Sequence, residues 1–181
     1  MSSFQERSRS PVDRAYVDRV PYASILAWFD DAPAAFMVLS QVTAGRLIWL
    51  SADRRAIVTQ GAFVVQTVGL ETNLDATQFP DGEPPTVPLS GVLKRSVDIR
   101  SQGYFNLDVT STFRRLGDET ITILQRAHDV TVVEEVASYG RVAKVTNKYY
   151  LDRANGLVWK SIQTPIPGQP QLNIEILRPY G

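Results

Sequence analysis

Residues 105–115 read FNLDVTSTFRR, and this stretch decides the fold class. Phe105, Leu107, Val109, Ser111 and Phe113 alternate with Asn106, Asp108, Thr110, Thr112 and Arg114. A period of two sends the first set to one face of an extended chain and the second to the other, which is the pattern of a half-buried strand. The same kind of segment recurs on both sides. Upstream are apolar runs at 22–29, 34–42, 46–50, 56–59 and 63–68, joined by short polar links such as Ala44-Gly45 and Gln60-Gly61. Downstream are 120–126, 130–136, 142–151, 157–164 and 172–177, and 93–100 lies just before the opening stretch. Gly117-Asp118 reads as a turn, and Asp152-Arg153-Ala154-Asn155-Gly156 as a hairpin turn in which Asn-Gly supplies positive φ. Links this short favour antiparallel hairpins, because parallel strands need a long crossover between them.

Ten to eleven strands with little helix predict an all-β fold. A large curved antiparallel sheet or open β-barrel fits best, since twist accumulates and a sheet of this size must curl or split. A two-sheet β-sandwich is the alternative. Helical turns are expected only at 13–19 and 70–76. The organisation expected is a flexible polar leader at 1–13 followed by a single β-rich domain at 14–181. Prolines at 80, 84, 85 and 88 make 79–88 an irregular loop.

Composition narrows the chemistry. Nineteen Lys and Arg balance nineteen Asp and Glu, so there is no excess positive charge to track a phosphate backbone, and no nucleic-acid partner is expected. The chain has no cysteine and one histidine, His128. Thiolate catalysis and cysteine metal sites are excluded, and a histidine-based triad or zinc centre would have to be built on His128 alone. No apolar run approaches the roughly 18 residues that span a bilayer as a helix. No phosphate loop or dinucleotide fingerprint is present. No cofactor, metal or catalytic residue is expected.

The individual candidates have structural readings. His128-Asp129 could be a general base with its orienting carboxylate, but a histidine beside a turn-forming aspartate is the expected role. Glu134-Glu135 and Asp118-Glu119 are paired carboxylates of the kind glycosidases use, yet neighbours on a strand point to opposite faces. Asp30-Asp31 and Asp53 fit turn chemistry and lack a calcium-loop pattern. Trp28 and Trp49 are expected in the core. One of Tyr149 and Tyr150 must face away from it. If Tyr149, Trp159, Ser161 and Gln163 share a face, they form a polar and aromatic stripe able to stack on and hydrogen-bond a sugar, and this stripe is the candidate ligand site.

Three ordered blocks carry a resemblance. The first is Pro21-Tyr22-Ala23-Ser24-Ile25. The second is Trp49-Leu50-Ser51-Ala52-Asp53, then Val58-Thr59-Gln60-Gly61, Gln66-Thr67-Val68-Gly69-Leu70 and Asn73-Leu74. The third is Asn147-Lys148-Tyr149-Tyr150-Leu151-Asp152 with Gly156-Leu157-Val158-Trp159-Lys160-Ser161-Ile162-Gln163 and Pro165, ending at 174–179. Over about 20–178 they resemble the YjbF/GfcB family. The resemblance implies an envelope lipoprotein associated with exopolysaccharide or group 4 capsule genes, at the periplasmic face of the outer membrane, without catalysis. It also implies a lipid-bearing cysteine after a signal peptide. This sequence contains neither, so membrane attachment is expected only through an N-terminal anchor that the chain lacks.

The expected function is therefore that of a non-enzymatic accessory protein in exopolysaccharide or capsule assembly or export. It would bind nascent polysaccharide or other secretion proteins, and its open sheet edges favour a homodimer or strand addition. The alternative is a lipid or lipoprotein carrier with an apolar cavity of several hundred cubic ångströms. A polysaccharide-acting enzyme is the distant third.

Overall fold

The computed structural model describes residues 10–30, 32–82, 84 and 86–181. Most of the 1–13 leader, and part of the 79–88 loop, lie outside the described residues. A short helix, α1 (Arg14–Arg19), precedes twelve strands: β1 (Ser24–Phe29), β2 (Ala35–Thr43), β3 (Arg46–Ser51), β4 (Ala56–Gln60), β5 (Phe63–Val68), β6 (Ala76–Gln78), β7 (Ser90–Ile99), β8 (Tyr104–Ile123), β9 (Arg126–Tyr139), β10 (Ala143–Asp152), β11 (Val158–Gln163) and β12 (Leu172–Arg178). They form one antiparallel sheet in the order β5-β4-β3-β2-β1-β12-β11-β10-β9-β8-β7-β6. The sheet curls into a nearly closed, barrel-like roll with almost no helix. The curved all-β fold expected from the alternation is what forms.

The register shows how the roll closes. Pairing puts Trp49, Ile57 and Val64 on one face of β3–β5, and Ile48, Val58 and Phe63 on the other. The first set packs in a core with Ile25, Ala27 and Ile174. The second packs against Phe113, Val133 and Tyr149, which lie on the inner face of β8–β10. Strand β4 and the start of β5 are therefore tucked inside the roll and covered on both faces, while Leu50 and Val68 at the far end of the second face stay exposed. The burial of β4 says the same, running unbroken from Ile57 to Gln60 instead of alternating. Phe63 is the centre of this overlap, with its ring 5.6–6.2 Å from those of Tyr149, Phe79 and Phe113. Phe79 and Val87, from the proline-rich loop, pack against the same cluster.

A third cluster lies outside the roll. Leu26 and Trp28 point away from the inner face and would be exposed but for two covers. One is α1, through Val17. The other is the far end of the β8–β9 hairpin, through Ile121 and Ile123. Asp13 caps α1 by accepting from the Tyr16 amide at 2.7 Å. Arg14 locks the covers together. It donates to the carbonyls of Leu124 at 3.0 Å, Ile123 at 2.9 Å and Leu177 at 3.2 Å.

Three local expectations are corrected. Residues 70–76 are not helical. Asn73 uses its side chain to accept from the Leu70 amide and donate to the Leu70 carbonyl, and such local bonds compete with a helix. Gly117-Asp118 is not a turn. Gly117, with φ of 152°, sits at a bulge, and β8 continues for six residues to a turn at Leu124-Gln125. The alternation of 105–115 holds from Val109 to Phe113 but fails at Phe105, which is 66% exposed, because Asn106 adopts a left-handed φ of 52°. Trp49 lies in the inner core as expected, and Trp28 is buried in the outer cluster.

Phe63 joins the tucked strands to the rest of the roll. Phe63→Ala is expected to lower unfolding stability by about 3–5 kcal/mol, the usual cost of truncating a buried phenylalanine. Chemical denaturation of the purified protein measures this directly.

Candidate functional site

Beneath Phe63, the inner face of β7–β11 carries a buried polar network. Glu135 is its centre and is fully buried. One carboxylate oxygen accepts from Arg95 at 2.7 Å and from the Ser111 hydroxyl at 2.5 Å. The other accepts from Asn147 at 2.9 Å and the Tyr149 hydroxyl at 2.6 Å. Burial alone would raise the Glu135 pKa, but Arg95 and the hydrogen bonds from Asn147, Ser111 and Tyr149 outweigh it and hold the carboxyl below its ordinary range. Burial would favour a neutral Arg95, yet the facing carboxylate keeps it charged. Tyr149 is pushed up, first by burial and then by the Glu135 charge. The Arg95 guanidinium also lies 5.7 Å from the centre of the Phe63 ring.

Gln163 extends the network to the tucked edge. Its carbonyl oxygen accepts from the Val64 amide at 3.1 Å, and its amide donates to the Ala62 carbonyl at 2.8 Å and to Ser161 at 2.9 Å. Thr77 donates to the Val65 carbonyl at 2.8 Å, and the Thr67 amide donates to the Leu74 carbonyl at 2.9 Å. The roll is thus fastened at its seam mainly by side chains rather than by a continuous ladder.

Of the expected stripe, the structure brings together Tyr149, Ser161 and Gln163, all on the inner face and all at least 96% buried. Trp159 is not with them. A bulge pairs Tyr150 with Lys160 and Leu151 with Val158, which leaves Trp159 as the extra residue, turned outward. There it stacks on His128 with ring centres 3.9 Å apart and donates to Asp152 at 2.8 Å. Burial lowers the His128 pKa. Asp129 bonds Thr120 instead, so His128 and Asp129 do not act as an oriented pair. Glu134 faces outward to Arg114 at 2.8 Å, opposite Glu135, and Asp118 is held by Arg115 and Thr131. Tyr150 faces out beside Lys160, which pairs with Glu175 at 3.1 Å.

The packed middle leaves space at each end of the roll. One mouth is formed by 61–62, 86–87, 155–158 and 179–181. It holds a cavity of about 480 Å³ whose floor is Trp49, Thr59, Ser161 and Ile174, walled by Leu47, Val158 and Ile176. The opposite mouth holds a cavity of about 350 Å³. Phe29, Ile166 and Pro170 make its apolar surface, while Arg55, Glu71, Thr72 and Gln169 supply donors and acceptors. Sequence reading missed both cavities, because each is assembled from four or five separate turns. The only local signal is the clustering of Gly, Pro and Asn in those turns.

Breaking the buried pair from either side leaves an uncompensated charge. Arg95→Met and Glu135→Gln are each expected to cost about 3–5 kcal/mol, and the double variant less than the sum. The pH dependence follows from the depressed carboxyl. Stability from Glu135 is fully present above its unfolded pKa, near 4.5, and is lost as pH falls through the lower folded value. Denaturation curves between pH 6 and pH 3 should show this loss in the wild type and a smaller one in Glu135→Gln.

No curated protein matches the sequence. Among solved structures, the crystal structure of the hypothetical lipoprotein YmcC from Escherichia coli (K12) superposes with a TM-score of 0.83 at 22% identity, covering 99% of this chain and 95% of that one. The likeness shows that the two share the fold. Residues 1–177 match the family described as group 4 capsule polysaccharide lipoprotein GfcB, YjbF. That match spans nearly the whole sequence, and the chain belongs to the YjbF family, which ties it to capsule polysaccharide and the cell envelope.

Proposed function

We propose that the protein is a non-enzymatic accessory component of capsule or exopolysaccharide assembly or export at the periplasmic side of the envelope. It works by binding nascent polysaccharide or a secretion partner. The observation that carries this reading is the 350 Å³ mouth, where an apolar floor meets Arg55, Glu71, Thr72 and Gln169 on the rim. Sugars present apolar ring faces and outward hydroxyls, so their sites combine packing surfaces with several convergent polar groups. The interior supports the non-catalytic part. Glu135 is buried and holds four hydrogen-bond donors, which leaves it no proton to exchange with a substrate. The packed centre also blocks a polymer from threading the roll, so contact with polysaccharide is made at an end.

The probe is oligosaccharide released from the host's own capsule or exopolysaccharide, followed by saturation-transfer NMR and native mass spectrometry. Glu71→Ala with Gln169→Ala should weaken binding roughly tenfold, or about 1.4 kcal/mol. Failure of the wild type to bind any fragment, with the fold intact, would overturn polysaccharide recognition and leave a protein partner at this mouth.

A further inference from the structure

We propose that the 480 Å³ mouth is a binding site for a single alkyl chain of an amphiphile. This goes beyond the polysaccharide reading and concerns the opposite end of the roll. Among the described residues, no Asp, Glu, Lys, Arg or His side chain lines the cavity. Its walls are the inner-face side chains Leu47, Val158 and Ile176, above Ile174 in the floor. The two hydroxyls on the floor already have partners. Thr59 accepts from the Trp49 indole at 2.9 Å, and Ser161 accepts from Gln163 at 2.9 Å.

A sugar or an ion entering this space would lose its water and find too few new hydrogen bonds, which is costly. An alkyl chain loses nothing by leaving water and gains about 0.8 kcal/mol for each buried methylene. The volume lies within the usual range for small-molecule sites, and the mouth of a barrel is a common place for one. The rim has the opposite character. Thr86, Asn155 and Tyr180 stand where the cavity opens, able to bond a headgroup left in water. Tyr22, Leu89 and Tyr180 are 50–61% exposed at this same end, an arrangement suited to a boundary between water and hydrocarbon. The occupant is thus an amphiphile with its chain inside and its head at the rim.

Trp49 in the floor provides the readout. The Trp28→Phe/Trp159→Phe protein keeps Trp49 as its single tryptophan. Two probes are added separately: dodecanoic acid brominated at its end, and phosphatidylglycerol vesicles brominated in the acyl chain. Saturable quenching of Trp49 is expected. Quenching by the free acid alone assigns the site to a soluble amphiphile, and quenching by both shows extraction from a bilayer. Leu47→Phe fills the cavity, and Leu157→Glu places a charge at its lip without touching the core. Each should weaken quenching at least tenfold, while Gln169→Ala, at the other mouth, should leave it unchanged. Native mass spectrometry of the unsubstituted protein with the same acid provides a second reading should the tryptophan background fold poorly. The absence of both quenching and a bound-acid mass would overturn the proposal, as would equal quenching in the filled and charged variants. Neither result bears on oligosaccharide binding at the opposite end.

Discussion

An edge strand carried into the interior of a protein takes a row of backbone donors and acceptors with it, and each must find a partner. In this fold that strand is β5, and Gln163 meets the demand. One side chain, reaching from β11, both accepts from Val64 and donates to Ala62. A carboxylate or an ammonium could do only half of this, since the amide alone offers both kinds of group in one plane. Thr77 and Leu74 complete the row. The overlapping roll, the double coverage of β4 and the start of β5 and the separation of the interior into two ends all depend on that edge being satisfied.

The ion pair below the tuck follows the same logic. Arg95 and Glu135 are buried under Phe63, and each is held by several neighbours. Such pairs seldom add net stability over a well-packed apolar core. What this one supplies is position. It links β7 to β9, and through Tyr149 and Asn147 it reaches β10, so the inner face under the tucked strand is fixed. Asn147 carries the link onward to the Thr164 amide at the end of β11. A filled middle then leaves ligand-sized space at the mouths, one lined by no ionisable side chain among the described residues and one with a polar rim.

Much of the fold was legible in the sequence because alternation is a local signal. Residues 107–113 announce a strand with one buried face, and the short polar links announce antiparallel neighbours. The tuck was not legible. Residues 57–60 and 63–65 are buried on both sides, and a short apolar run cannot reveal which element covers its second face. Bulges were equally hidden. One extra residue at Trp159 moved an aromatic side chain from the expected stripe to the opposite surface, and one at Leu116, just before Gly117, kept a strand going where a turn was expected. The candidate site was legible only in part. Tyr149, Ser161 and Gln163 do share a face, but the structure spends them on holding the roll together, and the accessible cavities come from turns remote in sequence.

The sheet order places the first and last strands side by side in its middle, while the seam falls between β5 and β6, halfway along the chain. Ser24 pairs with Arg178 across almost the whole sequence. Contacts that distant are slow to form, because the loop between them must be closed before they return any stabilisation. A chain emerging from synthesis or from a translocation pore can build hairpins as it goes, but it cannot join its two halves until β12 arrives. Until then β1, paired with β2 on one side, keeps its other edge open. The architecture thus delays completion of the sheet until its last strand is present.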